Sequence, residues 1–372
     1  MSPSTPPLSL QEEGHDARSA EKGGADGMHV DFGIWDHFER QPDIPVEKQY
    51  QEKIRLLVEA ERLGFTGYHV AEHHLSPLDL APSPNVFLAA LAQATSRLRV
   101  GTIVHILPLY QPVRLVQELC MLDHLSGGRL DFGVGRGIRA VEHEWFGIDP
   151  AEAVARNEEM LRIVVSAMSS GNLAYEGRFY HIPDAPMPLL PVQKPYPPVW
   201  YAGSPEFPGR RGIHFVTRSA SAVARYWQLW DETRAGGAHL NPRVRAPRVG
   251  ITKHVVIRES EAEARAIAGR AWPVFCRNWA ATALRTPDGR VAPEQSQDFD
   301  SVLAEGERLL IGTPQVVKDY LETIVEEFRD RPSFYFAPAV QWGDITSEEA
   351  LASLQVLASE VMPAFHPSVP RP

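Results

Sequence analysis

The sequence predicts an α/β fold, a (β/α)8 TIM barrel with insertions, because eight short strand-like runs alternate with helical patterns along the chain. The strand-like runs span residues 29–35, 67–71, 98–104, 130–134, 199–202, 213–217, 249–257 and 332–340. A doubly wound sheet is the main competitor. It is less favoured because no Gly-x-Gly-x-x-Gly motif joins an early strand to its helix with an acidic residue about 20 positions later.

The intervening helices are predicted from apolar residues at helical spacing and from start and stop signals. Gly64 ends the first helix, and Pro112 and Pro314 occupy first-turn positions. Thr346 and Glu349 form a capping box at the start of the last helix. The helical patterns span residues 46–63, 84–95, 112–126, 152–168, 221–235 and 261–283, and further helices begin at residues 313 and 346.

Two segments interrupt this rhythm. Residues 171–198 contain many prolines and two short β-like pieces near Tyr175 and Tyr180, which predicts an excursion off the barrel. Residues 286–300 are polar and contain Pro and Gly, which predicts a mobile loop. Both are candidate lids over an active site. We expect one barrel domain at residues 28–366, a disordered N-terminal tail at 1–27 and a C-terminal tail at 367–372.

Composition excludes several classes of protein. The chain has 372 residues and a formal net charge of -10, which argues against nucleic-acid binding. Two cysteines, Cys120 and Cys276, are too few for a disulfide framework or a thiolate metal site, so a reducing cytoplasm is expected. No apolar stretch reaches the roughly 20 residues that span a membrane. The first 27 residues lack the apolar core of a secretory signal.

The triplet Glu72-His73-His74 directly follows the second predicted strand. In an eight-stranded barrel, active sites are built where strands end and loops begin. Adjacent residues point to opposite sides, so only one of the two histidines is expected to face the barrel mouth as a base or hydrogen-bond donor. A structural pair bonded to loop carbonyls is the alternative. A metal site is less favoured, since metal ligands are usually spaced apart, and none is predicted.

Two further segments at strand ends could hold an anion. Residues 133–137 carry three glycines at alternate positions, which could let the backbone approach a ligand, and Arg136 offers a planar fork suited to phosphate. A tight turn beside a surface arginine is the alternative. In residues 202–206, Ser204 is expected as an N-cap and Pro205 as the first helical residue, which would place helical N–H groups near an anion. An ordinary capped helix is the alternative there, and the Glu206 carboxylate would oppose a phosphate.

The apolar run at residues 102–108 ends at the same edge of the barrel. Its default interpretation is a core strand, but apolar residues there could also support a flat ring. Because these segments follow strands two to five, one pocket could collect them all. Together they predict a phosphate-bearing planar cofactor with a histidine close by.

The chain resembles the bacterial luciferase-like flavin monooxygenase family from residue 29 to about residue 366. The resemblance implies a (β/α)8 barrel that takes reduced FMN from a separate flavin reductase. It also implies a flavin C4a-peroxide formed with O2, oxidation of a small organic substrate, and a homodimer. The matching stretches are residues 67–74, 99–102, 107–114, 122–137 and 202–206.

The resemblance implies roles for individual residues. His73 matches the catalytic histidine, with Glu72 beside it to orient an imidazole or complete a loop hydrogen bond. Arg136 matches the arginine that meets the flavin phosphate, and Gly203 and Ser204 match the phosphate loop. Ala202, just before that loop, is also expected to contact the cofactor. Ile103-Val104 matches a dipeptide under the isoalloxazine ring that is often joined by a cis bond. Candidate substrate-pocket residues are Trp35, Tyr110 and Trp342, for which core packing is the alternative.

The departures from the family pattern bear on the activity. Luciferases proper have a cysteine where this chain has Gly135, so light emission from a long aldehyde is not expected. Relatives that use a deazaflavin generally lack the Glu-His-His sequence, so its presence favours FMN. A deazaflavin-dependent dehydrogenase on the same barrel, and a flavin-binding partner subunit without turnover, remain the two alternative functions.

Overall fold

The computed structural model describes residues 29–236, 239–281 and 298–365. Its strands are β1 His29–Phe32, β2 Ile34–Asp36, β3 Gly67–Val70, β4 Arg99–Thr102, β5 His105–Ile106, β6 Leu130–Gly135, β7 Asn172–Glu176, β8 His181–Pro186, β9 Val199–Ala202, β10 His214–Thr217, β11 Val249–Ile257, β12 Leu309–Gly312 and β13 Ser333–Ala339. Its α-helices are α1 Val46–Arg62, α2 Pro84–Ala94, α3 Pro112–Leu125, α4 Ala140–Trp145, α5 Ala153–Ser170, α6 Glu206–Arg211, α7 Ala220–Thr233, α8 Glu261–Ala281, α9 Phe299–Glu305, α10 Pro314–Glu327, α11 Ser347–Val356 and α12 Met362–Phe365.

The parallel strands form a nearly closed barrel, which confirms the predicted fold. The strand order is β1-β13-β11-β10-β9-β6-β4-β3-β2, so the path starts and ends on two pieces of one run. Gly33 separates the two pieces, and its amide donates to the Phe336 carbonyl at 2.9 Å. A Cβ at Gly33 would lie 1.7 Å from the Tyr335 hydroxyl oxygen, so any larger residue at this position would collide with the Tyr335 side chain.

Most predicted boundaries agree closely with the structure. β9 and β11 coincide with their predicted ranges, and the capping box of Thr346 and Glu349 is present. The third predicted strand, residues 98–104, ends early, as β4, at Thr102. The cis Ile103–Val104 peptide bond follows, and β5, which was not predicted, begins at His105. The predicted excursion at residues 171–198 contains the antiparallel hairpin β7–β8.

Helix α4, strand β12 and helix α9 were not predicted. Helix α4 has six residues, too short for a periodic pattern. Helix α6 was predicted from the start signals Ser204 and Pro205, and it begins one residue later than expected, at Glu206. Strand β12 has four residues and pairs with the last four residues of β11, while β13 pairs with an earlier part of that long strand. Helix α9 begins at Phe299, so the mobile loop predicted to reach residue 300 is wrong at its end. Residues 286–297 of that loop and both predicted tails lie outside the described residues.

A buried polar network crosses the barrel interior below the mouth. Asp131 on β6 accepts from Arg99 Nε at 2.9 Å and pairs with His69 Nε2 at 3.1 Å. The Tyr335 hydroxyl contacts His69 Nδ1 at 3.1 Å. Burial alone would raise the pKa of Asp131, but the Arg99 charge and the His69 hydrogen bond hold it well below its usual range. The ionised carboxylate therefore ties three strands together. In the part of the chain that the structure describes, no helix is long and apolar enough to cross a membrane.

We predict that Asp131→Asn lowers the free energy of unfolding by about 3 kcal/mol at neutral pH, because it leaves the buried Arg99 charge without its anion. A depressed carboxyl pKa contributes stability that is present above the unfolded-state value and is lost as the pH falls below about 4. In urea unfolding, the difference in the free energy of unfolding between wild type and variant should therefore become smaller in acid. Glu322→Gln, an exposed change on α10, is the control. A gap that stays constant across this pH range would contradict the assignment.

Candidate active site

His73 lies at the carboxyl end of β3 and is held by a buried carboxylate. Its Nδ1 lies 3.0 Å from Glu142 Oε1, and the same oxygen accepts from the His74 amide at 2.9 Å. The His73 amide donates to Asp79 Oδ2 at 3.1 Å, which fixes the backbone of the loop. Glu142 lies on α4, just beyond β6, and is fully buried. These contacts join the loops after two barrel strands.

The protonation of Glu142 sets the tautomer of His73. Burial alone would raise the pKa of Glu142, but the hydrogen bonds and charges of His73 and His74 lower it below its ordinary value. An ionised carboxylate only accepts hydrogen bonds, so His73 Nδ1 must carry the proton. In the neutral imidazole, Nε2 then has the free lone pair.

Glu72 contacts the imidazole of His74 and the segment that follows β4. Its Oε1 pairs with His74 Nε2 at 2.8 Å, and its Oε2 accepts from the Ile106 amide at 2.9 Å and the Tyr110 hydroxyl at 2.8 Å. The imidazole that Glu72 orients is therefore His74, while His73 uses Glu142. Sequence reasoning missed Glu142 because it lies 69 positions from His73.

Tyr110 does not meet the other two candidate pocket residues. Its hydroxyl is bonded to Glu72, and its ring packs edge-on against His105 at 5.6 Å. Trp35 and Trp342 both pack edge-on against His254, at centroid distances of 5.8 and 5.4 Å. Among the described residues, Trp35 and Trp342 thus share His254 as a neighbour, whereas Tyr110 contacts Glu72 and His105.

A cluster of histidines and aromatic rings surrounds His73. His37 directly follows β2. The centre of its ring lies 5.6 Å from that of His73 and 6.5 Å from that of His254 on β11. Burial, assisted by the neighbouring imidazoles, lowers the pKa of His37 well below its usual value. Burial and the charges of Arg218 and Arg308 lower the pKa of His254 to about 3. Both imidazoles are therefore neutral at physiological pH.

Sequence reasoning missed both of these histidines. His37 follows the end of a predicted strand, the same signal that singled out the triplet, whereas His254 lies inside an apolar strand and gives no signal. Among the residues that the structure describes, no group of three or more His, Cys, Asp or Glu side chains could hold a metal ion.

The glycines at residues 133–137 serve protein packing, which corrects the interpretation that they admit a ligand. A Cβ at Gly133 would lie 1.8 Å from the Thr102 carbonyl oxygen, and one at Gly135 would lie 2.4 Å from Val104 Cγ2. Strand β6 therefore needs glycine to lie against the segment that contains the cis Ile103–Val104 bond. A larger residue at Gly135 would require Val104 to move.

Arg136 and the loop after β9 form an exposed cradle. Burial raises the pKa of Tyr201, and the nearby positive charge of Arg136 opposes that rise, so the guanidinium lies towards the end of β9. Ala202 is the last residue of β9. Gly203 has φ +120°, and a Cβ there would meet nothing closer than 3.7 Å, so its backbone is open to solvent. This open surface beside a cation fits a phosphate group.

Ser204 does not have its predicted role as a helix cap. Helix α6 begins at Glu206 with Pro205 as N-cap, and no side chain caps it. The Ser204 hydroxyl instead donates to the Glu206 carboxylate. The short helix offers less of a dipole than the sequence suggested, so backbone openness and Arg136 are the features that fit an anion.

Arg139 is a second arginine of this mouth, and sequence reasoning missed it. It is 4% exposed, and its guanidinium carbon lies 4.1 Å from the centre of the Trp279 ring. The two ring nitrogens of His143 each lie 2.8 Å from a backbone carbonyl oxygen, Nδ1 from that of Arg139 and Nε2 from that of Arg136. These contacts fix the loop that carries the two arginines. The feature of the sequence that could have indicated Arg139 is its position three residues after Arg136, just beyond a glycine-rich strand end.

An eight-stranded barrel with a buried histidine–carboxylate pair at its mouth defines an enzyme active site of the TIM-barrel class. The family described as luciferase-like monooxygenase matches residues 30–331. The chain belongs to this family and is a flavin-dependent oxidoreductase.

Named relatives agree with this assignment. The oxygenase component of the flavin-dependent trigonelline monooxygenase of Acinetobacter baylyi is 29% identical over 353 residues, covering 91% of this chain and 96% of that protein. Limonene 1,2-monooxygenase of Rhodococcus erythropolis is 26% identical, covering 91% of this chain and 87% of that protein. The crystal structure of monooxygenase RslO1 from Streptomyces bottropensis has a TM-score of 0.77 and 25% identity, covering 90% of this chain and 99% of that one.

Two more distant structures share the barrel. One is the oxygenating constituent of 3,6-diketocamphane monooxygenase from Pseudomonas putida in complex with FMN, with a TM-score of 0.70 and 18% identity over 93% of this chain and all of that one. The other is the coenzyme F420-dependent tetrahydromethanopterin reductase of Methanopyrus kandleri. Its TM-score is 0.63 and its sequence identity 17%, over 92% of this chain and all of that one. The barrel alone therefore does not select the cofactor.

We predict that Glu142→Gln changes the tautomer of His73. The amide nitrogen of Gln can donate to Nδ1, which favours the form with the proton on Nε2. Nitrogen-15 NMR of the imidazole at neutral pH should show an unprotonated Nε2 in wild type and a protonated Nε2 in the variant. Glu144→Gln, an exposed change on the same helix, should leave the wild-type signal. A wild-type His73 that carries its proton on Nε2 would contradict the assignment.

Proposed function

We propose that the chain is the oxygenase component of a two-component FMN-dependent monooxygenase, which uses reduced FMN and O2 to oxidise a small organic substrate. The observation that carries the proposal is His73, whose Nδ1 is bonded to the ionised Glu142 and whose Nε2 is left as the reactive atom. A separate flavin reductase is the expected partner, and the trigonelline oxygenase component supports this division of labour. We also propose a homodimer.

The residues at the mouth fit FMN. Arg136, Gly203 and Ser204 would hold its phosphate, since they combine a cation with an open backbone at the end of β9. Ala202 and the cis Ile103–Val104 segment would lie along its ring. When bound, reduced FMN supplies the electrons that activate O2, so that one oxygen atom enters the substrate and the other leaves as water.

His73 would move a proton at Nε2. Because Glu142 holds a proton at Nδ1, Nε2 can take a proton from the substrate or from a solvent molecule and return it later. His37 and His254 remain neutral, which keeps two further positive charges away from the same site. Of these three histidines, His73 is the one whose ring contacts a carboxylate, that of Glu142.

The aromatic cluster would exclude water from the reaction. Trp35 and Trp342 are 8% and 2% exposed, and Phe275 packs on His254 at 4.6 Å. A dry site protects an activated oxygen species from loss to solvent. The same cluster would give the substrate an apolar wall.

A deazaflavin-dependent dehydrogenase is the alternative on this barrel. The F420-dependent reductase of Methanopyrus kandleri has the same fold, which supports this alternative. The Glu72-His73-His74 sequence favours FMN, because the deazaflavin relatives generally lack it. Titration of the protein with both cofactors, followed by absorbance, separates the two functions.

We predict that His73→Ala lowers the rate of substrate oxidation about 100-fold or more, the usual contribution of a proton-transferring side chain. The assay supplies chemically reduced FMN and follows oxidation across a panel of small organic compounds. FMN affinity should stay within about 3-fold of wild type, because the phosphate cradle is intact. His124→Ala, an exposed change on α3, is the control. Unchanged turnover with flavin still bound would exclude this role.

We predict that Arg136→Ala weakens FMN binding about 10-fold to 100-fold, the scale of a charge-assisted hydrogen bond, and leaves riboflavin binding unchanged. Riboflavin lacks the phosphate, so the ratio of the two dissociation constants isolates the contact. Fluorescence quenching of the flavins measures both. Arg162→Ala, an exposed change on α5, is the matched control. Equal weakening of FMN and riboflavin would place Arg136 elsewhere in the site.

A further inference from the structure

Arg139 is a buried cation whose hydrogen-bonding capacity is unused. Within the described residues, its Nε and Nη2 atoms are buried and have no hydrogen-bond partner. A guanidinium presents its donors along planar edges that match the two oxygens of a carboxylate. A buried charge without a partner is costly, so a protein that keeps one commonly pairs it with a ligand. We infer that Arg139, supported by Trp279, binds the carboxylate of a planar organic-acid substrate.

The guanidinium is held in place by contacts that leave its edge free. It stacks on Trp279 at 4.1 Å, a contact that uses the face of the group and none of its N–H bonds. The backbone of Arg139 is fixed separately, because its carbonyl is 2.8 Å from His143 Nδ1. A bidentate partner in the plane of the group would therefore meet a rigid receptor.

Glu142 does not serve as that partner. Its Oε1 is used by His73 and His74, and its Oε2 is buried and has no hydrogen bond to any residue that the structure describes. Its charge raises the pKa of Arg139 against the lowering effect of burial, so the two groups interact through space. Neither side chain satisfies the other.

The surrounding charges favour an anion. The positive charges of Arg218 and Arg139 both act on His37, and those of Arg218 and Arg308 act on His254. Burial, together with the charge of Arg308, lowers the pKa of Arg218 to about 10, which still leaves it cationic at neutral pH. A carboxylate entering this part of the mouth would meet several cations.

Trp279 connects this site to the reacting residue. Its ring lies 6.3 Å from the His73 ring and 5.7 Å from the His37 ring, as well as under Arg139. Arg139 and His73 are therefore both neighbours of the Trp279 ring, so an acid bound to Arg139 would lie in the same part of the mouth as His73. This inference rests on the proposed function for the reaction, and it adds the substrate class.

The test measures binding of matched acids and amides by isothermal titration calorimetry, with the full-length protein free and saturated with oxidised FMN. The probe pairs are benzoate and benzamide, indole-3-acetate and indole-3-acetamide, and cyclohexanecarboxylate and its amide. We expect at least one aromatic acid to bind about 10-fold to 100-fold more tightly than its amide, the scale of a hydrogen-bonded charge pair. Arg139→Gln should remove that preference, and Arg139→Lys should retain part of it.

Two controls separate substrate binding from flavin binding and folding. FMN affinity of both Arg139 variants should match that of wild type, circular dichroism should show both variants folded, and Arg277→Gln on α8 should change neither preference nor affinity. The inference is overturned if no acid binds more tightly than its amide, if Arg139→Gln keeps the preference, or if the variant weakens FMN as much as the acid. If the protein takes F420 and not FMN, the proposed function fails, while the acid preference is still measured independently.

Discussion

One carboxylate, Glu142, organises the mouth of this barrel. A single oxygen of Glu142 accepts from the side chain of His73 and the main chain of His74, so it joins the loop after β3 to the helix that follows β6. Because that carboxylate is buried and ionised, it determines which imidazole nitrogen is free. The position of the reactive histidine thus depends on a residue in another strand–helix unit.

The electrostatics of the site follow from burial. Two of the three clustered histidines are held neutral because desolvation outweighs any gain from a charge, and no carboxylate of the described residues pairs with them. His73 differs because it has an anionic neighbour. A site with one histidine of this kind and the buried guanidinium of Arg139 is suited to placing a proton and an anion separately.

The fold was largely predictable, because each barrel unit carries local signals. Strand β11 follows from a run rich in β-branched residues, and the last helix begins at a capping box formed by residues three positions apart. Strand β12 gave no such signal, since its pairing depends on the extra length of β11.

The site was predictable only where its residues are contiguous. The Glu72-His73-His74 triplet and Arg136 stand out in the sequence, but Glu142, His254 and Arg139 are single residues that barrel closure brings to the mouth. The alternate glycines at Gly133 and Gly135 misled for a related reason. Their purpose, close approach to Thr102 and Val104, is visible only once β4 and β6 are paired.

The central claim is that His73 and the β9 cradle serve one bound FMN molecule. A crystal structure of the protein with oxidised FMN tests it most directly. The account predicts the phosphate between Arg136 and Gly203, the ring against Val104, and His73 Nε2 facing the ring with Nδ1 still on Glu142. A phosphate bound away from Arg136, or a His73 turned from the flavin, would contradict it.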